Sequence, residues 1–405
     1  MSPEDVKGII ELGNRNIKCV IFSTNQNNES EIISTAVATS EGIRNDVVEN
    51  LSKASNAIRT CISSAEKKAK ISLKRINVVF EQPDFLCTNF SKQKKIDGSK
   101  IHKDDIEFLL KEAKKQLILN DDKQSIIHIF NHNYIVDGKK FLEEPIGVYA
   151  DLLTHEISFI TTLKNNLRNL NQVFTDCDIE IERLISKTFA SGVELLSNDE
   201  MQSGSILIDM GFEKISLGIF KNLALVHSVT FPFGINYIAK DISKVCSLTF
   251  KESKKIISDI DYLFKDSREV FDQEDYLKKT YFFESNFRKI SKKLISDVIK
   301  ARLDEIINMS KKNFVFPSFN SNLGTKILLI GNGTNLFNIK KYIFNSLGKN
   351  LTQINSREIL DENLASCLGA VKIVKDGWET EAIPSVGDRN IEKISFFAKI
   401  FGINK

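Results

Sequence analysis

Ile9-Ile10-Glu11-Leu12-Gly13, followed at fixed spacing by Ile17 and Ile21-Phe22, is echoed by Leu207-Ile208-Asp209-Met210-Gly211, followed at the same spacing by Ile215 and Ile219-Phe220. In each copy an apolar run ends in a carboxylate, the glycine permits a turn, and a second apolar run returns, which is the pattern of a β-hairpin. The register holds from end to end of both copies. Two related lobes, each opening on the same hairpin, account for this better than a coincidence of two ordinary hairpins.

Outward from the first hairpin, Val47, Leu51, Ala54, Ile58 and Ile62 recur at three- and four-residue spacings and predict a helix over 47–70. Ile76-Asn77-Val78-Val79-Phe80 reads as a buried strand, so the first lobe is α/β. Ile106, Leu109, Leu110, Ala113 and Leu117 mark one side of a helix over 101–118. Strands are expected at Ser125–Phe130, Asn133–Val136 and Glu156–Thr161, with a turn at Asp137-Gly138 and a helix over 163–173. This stretch reads as a compact inserted subdomain. Beyond the second hairpin lie a Lys-rich helical region over 235–310, a strand Lys326–Ile330 running into Gly331-Asn332-Gly333, and a helix Leu364–Val374 rich in small residues. A strand that ends on glycines lets backbone approach a ligand closely. Asp376 to Asn390, polar and interrupted by Pro and Gly, reads as a linker.

At 405 residues the chain exceeds one hydrophobic core, and 42% hydrophobic with 27% charged residues describe a globular protein. The 56 Lys+Arg against 53 Asp+Glu give a net charge of +3, which excludes a whole-molecule field for nucleic acid. The six cysteines are scattered without a CxxC pair, as expected of free thiols in a reducing cytoplasm. His128 and His132 are spaced for a metal only on a helix, whereas their neighbours read as strand, so no metal site is expected. The opening MSPEDVKG lacks a signal-peptide pattern and no apolar stretch reaches spanning length, so the expectation is a chain neither exported nor integral.

The order of these elements, two carboxylate hairpins, a glycine turn after Ile327-Leu328-Leu329-Ile330 and a late small-residue helix, resembles the actin, Hsp70 and sugar-kinase superfamily. Within it, three segments resemble the 1C-type (SHS2) subdomain of the FtsA family: Ile101-His102-Lys103-Asp104-Asp105-Ile106, His128-Ile129-Phe130-Asn131-His132-Asn133-Tyr134, and Glu144-Pro145-Ile146-Gly147. Val298–Ile306 resembles that family's 2B helix. The resemblance implies an α/β, actin-like, two-lobed fold. Subdomain 1A would comprise 1–81 and 166–200, with 1C inserted at 82–165. Subdomain 2A would comprise 201–234 and 311–363 around 2B at 235–310. A closing helix at 364–376, a linker at 377–390 and an amphipathic membrane-targeting helix at 391–405 would follow.

The resemblance also implies ATP with magnesium as cofactor, held by Glu11, Gly13, Asn14 and Asn16 in the first loop, Asp209 and Gly211 in the second, and Gly331 and Gly333 in the third. Glycines would expose backbone N–H groups to phosphate, and carboxylates would hold the waters of the ion. The sequence departs from that pattern. Asn14 and Asn16 stand for the usual Thr and Lys, and Phe212-Glu213-Lys214 replaces a Gly-Gly-Thr run. Where the family has Ala-Glu-x-Ile-Lys, this chain has Ser253-Lys254-Lys255-Ile256-Ile257. The expected pocket is therefore degenerate, at most that of a weak ATPase.

In the last stretch, Ile391, Ile394, Phe396, Phe397, Ile400 and Phe401 form an apolar arc, with Lys393 near its edge and Lys399 on the opposite side, both able to meet anionic headgroups. By resemblance this helix binds the anionic face of the membrane; a helix docked on its own core is the alternative. Arg288, Lys289, Lys292, Lys293 and Arg302 interleave with apolar positions, and by resemblance this region receives the C-terminal peptide of FtsZ. The bland alternative is a solvated helix face. The resemblance thus implies a cell division adaptor on the cytoplasmic face of the bacterial inner membrane at the septum. It would tether FtsZ filaments in the Z ring, polymerise with itself and contact other divisome proteins. Two other readings stay open: a binding module like the pilus-assembly protein PilM, and an ATPase or kinase of the actin superfamily.

Overall fold

The computed structural model describes residues 6–25, 28–259, 275–313, 326–331, 342, 346 and 364–382. The chain divides into two units, one of Met1–Ser205, Gly218–Thr230 and Leu360–Lys405, the other of Ile206–Leu217 and Phe231–Ile359.

The first unit is built on β1 (Val6–Glu11), β2 (Asn16–Thr24), β3 (Ser30–Thr39), β6 (Arg75–Phe80) and β11 (Glu180–Ser186), ordered β11-β6-β1-β2-β3. The hairpin β1-β2 is antiparallel, whereas β6 runs parallel to both β1 and β11. Parallel neighbours need both faces covered, and accordingly Ile9, Ile10, Val78, Val79 and Ile185 are all fully buried. Helix α1 (Leu51–Ala69) supplies one cover through Ala54, Ile58, Cys61, Ile62 and Ala65. It begins four residues later than the periodicity predicts. Asn45 and Asp46 take positive φ in a tight turn between β4 (Ile43–Arg44) and β5 (Val47–Val48), and the Asn50 side chain accepts Lys53 N–H at 2.9 Å as N-cap. Val47 is thus a strand residue.

Between β6 and β11 the chain detours through β7 (Leu86–Lys100), α2 (Lys103–Asn120), β8 (Gln124–Val136), β9 (Lys139–Phe141), β10 (Tyr149–Leu163) and α3 (Lys164–Thr175). All five apolar positions read from the sequence for the α2 helix are its buried ones. Ile106 and Leu109 pack with Tyr134, Val136 and Leu153, and Leu110, Ala113 and Leu117 pack with Ile129, Ile157 and Phe159. At about 1.5–3 kcal/mol for each large side chain buried, this face alone accounts for the helix. The two strands expected within 125–136 are one. His132 is absorbed as a bulge, because Glu156 pairs with Asn133 and Ile157 with Asn131, so the backbone continues without a break.

Helices α4 (Lys187–Leu195) and α9 (Ala365–Asp376) cover the five-stranded sheet from the other side. The small residues expected to allow tight packing do so at Gly369, where an added Cβ would sit 1.8 Å from the carbonyl oxygen of Ala190. After α9 the chain does not leave as the expected linker. Glu381–Ala382 form β16, the last strand of the sheet β16-β8-β10-β7, because buried Glu381 finds the Arg183 guanidinium and the His128 ring there and Ala382 enters the core beneath α2. Any linker therefore begins later than residue 377.

A third sheet has the order β14-β13-β12-β15, from β12 (Ser205–Met210), β13 (Ile215–Lys221), β14 (Ala224–Phe231) and β15 (Lys326–Ile330); the short α5 (Asn198–Ser203) leads into β12. The Lys-rich region over 235–310 is interrupted: α6 (Asn236–Val245), α7 (Phe250–Ser258) and α8 (Lys292–Asn313) are helical, and 282–290 is irregular. Buried Glu252 organises that irregular stretch. Burial alone would raise its carboxyl, but the N–H groups of Glu284, Thr249 and Ser285 outweigh burial and hold it at about 2.

Candidate functional site

The two hairpin loops share a geometry. A Cβ added at Gly13 would meet Asn16 O at 2.7 Å, and one at Gly211 would meet Lys214 O at 2.6 Å, so each turn requires glycine for the same close approach. The sequence echo is therefore an echo of structure.

Glu11, the carboxylate ending β1, is buried, and its acceptors are engaged. Lys18 Nζ lies 3.0 Å from Oε2, Ser366 donates to the same oxygen at 2.7 Å, and Lys187 Nζ is 3.8 Å from Oε1. Burial favours the protonated form, yet Lys187, Lys18 and the Ser366 hydroxyl together outweigh it and lower the carboxyl below its ordinary value. Asn14 is also spent internally, accepting from Asn45 N–H and donating to Asn45 Oδ1. Asn16 opens β2 with an exposed side chain. Lys18 was legible in principle, since a regular hairpin sets it directly opposite Glu11; Lys187 and Ser366 arrive from distant sequence and were not.

In the second unit, Gly331 has φ +90, and an added Cβ would lie 2.4 Å from Asp209 Oδ1. The loop after Gly211 folds onto its own neighbours. Asn236 donates to Glu213 at 2.8 Å, and Lys254, the residue standing for the family's glutamate, sits 5.2 Å from the ring centroid of Phe212 and 4.5 Å from that of Phe250. Gly333 lies outside the described residues.

A magnesium ion does not fit the Glu11 side. Two ammonium groups flank the one carboxylate and repel a dication, and Oε2 already accepts hydrogen bonds from Lys18 and Ser366. Among the described residues no cluster of three or more His, Cys, Asp or Glu is placed to hold a metal.

The basic stretch separates into two groups. Arg288, Lys289 and Lys293 line a cavity of about 530 Å³ together with Val245, Tyr276 and Leu294. Arg288 donates to Ser247 O, and Lys289 lies over the Tyr276 ring at 5.6 Å. Lys292 and Arg302 are held elsewhere. Lys292 pairs with Asp275 at 3.0 Å, and Arg302 grips Asp241 through Nε at 2.6 Å and a terminal nitrogen at 2.9 Å. Arg288 and Lys289 precede α8 instead of lying on it, so the expected single helical face is a helix start plus a loop. Part of the apolar side of the cavity, Val245 and Tyr276, comes from outside 287–302 and is not marked by that stretch's own pattern. The membrane-helix positions 391–401 lie outside the described residues, and among those described no helix is long and apolar enough to cross a membrane.

A family model described as "SHS2 domain inserted in FTSA" matches residues 85–161, and one described as "Cell division protein FtsA" matches residues 206–369. The cell division protein FtsA of Borreliella burgdorferi is 23% identical over 405 residues, spanning 97% of this chain and 96% of its own length. Among solved structures, a chain of the PilM-PilN type IV pilus biogenesis complex superposes with a TM-score of 0.59 at 13% identity, covering 90% of this chain and 96% of that one. MreB 5 of Spiroplasma citri bound to AMPPNP gives a TM-score of 0.51 at 13% identity, with 91% and 96% covered. At such identities the structural likeness establishes the fold alone, which is actin-like with an SHS2 insertion.

Proposed function

The chain belongs to the FtsA family of cell division proteins, and on that premise we propose that it is a membrane-tethered adaptor holding FtsZ filaments at the division septum. The observation that carries this reading is the cavity at the start of α8. Three cations, Arg288, Lys289 and Lys293, stand beside exposed Val245, Tyr276 and Leu294, which suits an acidic peptide with apolar anchors. The FtsZ C-terminal peptide is the proposed occupant. The other parts of the reading are the anionic membrane bound through Ile391, Lys393, Ile394, Phe396, Phe397, Lys399, Ile400 and Phe401, assembly with further copies of the chain, and contact with other divisome proteins.

The nucleotide pocket is degenerate in this proposal. Glu11 serves as an internal ion-pair hub, and Phe212 of the second loop has Lys254 of α7 over its ring. The ATP of the family pattern is therefore bound weakly and without magnesium held by Glu11, and no catalytic residue is assigned. MreB 5 supports nucleotide only as something the fold accommodates. The experiment is a titration of a labelled FtsZ C-terminal peptide at low and high salt. Binding that weakens as salt rises is expected from exposed cations. Absence of binding at low salt overturns the partner.

A further inference from the structure

Glu381 is buried where three elements of the first unit meet. Its Oε1 lies 2.6 Å from Nδ1 of His128 on β8, and its Oε2 is paired with the guanidinium of Arg183 on β11. His128 Nε2 accepts the N–H of Ser186 at 2.8 Å, which leaves Nδ1 to donate to Glu381. The backbone around Glu381 is tied down as well. Glu381 and Ala382 pair with Phe130 and Ile129, and Asn131 N–H donates to Thr380 O at 2.8 Å. The indole N–H of Trp378 and the hydroxyl of Thr380 both donate to Leu223 O, at 2.5 and 2.8 Å. A two-residue ladder is short for a strand. The buried carboxylate, which is stranded if the segment peels away from Arg183 and His128, is what holds it.

We infer that residues 378–382 are a latch with Glu381 as its bolt, which roots the following chain on the outer edge of the SHS2 sheet and so keeps that edge within a short tether of an anionic lipid surface. The inference rests on the proposed reading of 391–405 as a membrane helix. Only residues 383–390 separate that helix from the latch, and fully extended they reach roughly 30 Å. A linker free from residue 377, as the sequence suggested, would be a longer tether with no fixed root; a linker rooted at Ala382 starts on the SHS2 edge and keeps that edge within this reach of the helix. The edge in question is shared by β16 and β9, because β10 pairs along the other edge of β8 from Gln124 to Val136.

Trp378, the single tryptophan of the chain, lies inside the latch and reports on it. The full chain is bound to phosphatidylglycerol–phosphatidylethanolamine vesicles carrying a dansyl headgroup label, and acrylamide quenching of Trp378 and its energy transfer to dansyl are read with sedimentation. Trp378 should stay equally protected from acrylamide with and without vesicles and should transfer to the label. A flexible insertion after Ala382 should keep sedimentation and protection but diminish the transfer. Glu381→Gln, which keeps the shape and removes the charge, should raise quenching at least about three-fold. Protection lost on vesicle binding, or unchanged in Glu381→Gln, overturns the latch. Sedimentation without transfer overturns the nearness of this edge to lipid while sparing the tail reading. Wild-type chain that does not sediment overturns the tail reading and lipid as occupant, and quenching without vesicles then judges the latch alone.

Discussion

Across the first hairpin, the ammonium of Lys18 lies 3.0 Å from the carboxylate of Glu11, its directly opposed partner in the β1-β2 register. The carboxylate that the superfamily pattern reserves for an ion's waters is thereby a strut joining β1, β2, α4 and α9.

Glu11→Gln should destabilise the chain by about 1–3 kcal/mol, because Lys18 and Lys187 lose their shared counter-charge. The folded-state carboxyl lies below its ordinary value, so its stabilisation is complete above about pH 4.5 and fades as pH falls through the lower folded value. Thermal melts check both the variant and the ion: millimolar magnesium should leave the midpoint of the wild type unmoved. A magnesium-dependent rise that Glu11→Gln abolishes would return Glu11 to the metal.

The SHS2 core should be acid-sensitive at mildly low pH. His155 is fully buried, stacks on Tyr134 at 4.4 Å and has no partner for either ring nitrogen; His132 lies in the bulge of β8 with Nε2 unpartnered. Burial lowers them to about 3 and about 4, with Glu156 partly opposing it at His132. Both are neutral when folded, so stability is full above about pH 6.5 and declines toward pH 4 as the unfolded chain takes up protons. The loss at pH 5 should be on the order of 1–2 kcal/mol per histidine. Urea midpoints at pH 7.5 and pH 5 check this, and His155→Phe should flatten the slope; an unaltered slope would assign it to other groups.

Charge reversal separates the cations of the α8 region. Lys289→Glu with Lys293→Glu should weaken the FtsZ peptide about ten-fold or more at low salt and leave the melting midpoint in place, since both side chains are exposed. Arg302→Ala should instead lower stability by about 1–2 kcal/mol, because Asp241 loses a two-point partner. Peptide affinity that follows Arg302 and ignores Lys289 and Lys293 would move the site off the cavity.

Phe397→Asp with Phe401→Asp should abolish vesicle sedimentation while stability stays within about 1 kcal/mol, since the change removes apolar burial in lipid and adds two repelled charges. If these residues pack on the protein's own core, the same variant will unfold instead. Sedimentation beside a melting curve distinguishes the two.

Local pattern alone determined much of this protein. The echoed hairpins, the buried face of α2 and the small-residue face of α9 follow from periodicities of two and 3.6 residues and from glycines at tight turns, which neighbouring residues encode. The departures at Asn14, Phe212 and Lys254 were equally visible, and so was the basic character of 287–302. What the sequence could not encode locally was which charges meet. Lys187 and Ser366 reach Glu11 from more than a hundred residues away, Arg183 and His128 converge on Glu381 inside a supposed linker, and Lys292 and Arg302 are claimed by Asp275 and Asp241. A buried charge must find its partner wherever the fold supplies one, and burial is a property of the assembled layers instead of any one segment, so only the tertiary structure decided which candidate residues remained available for a ligand.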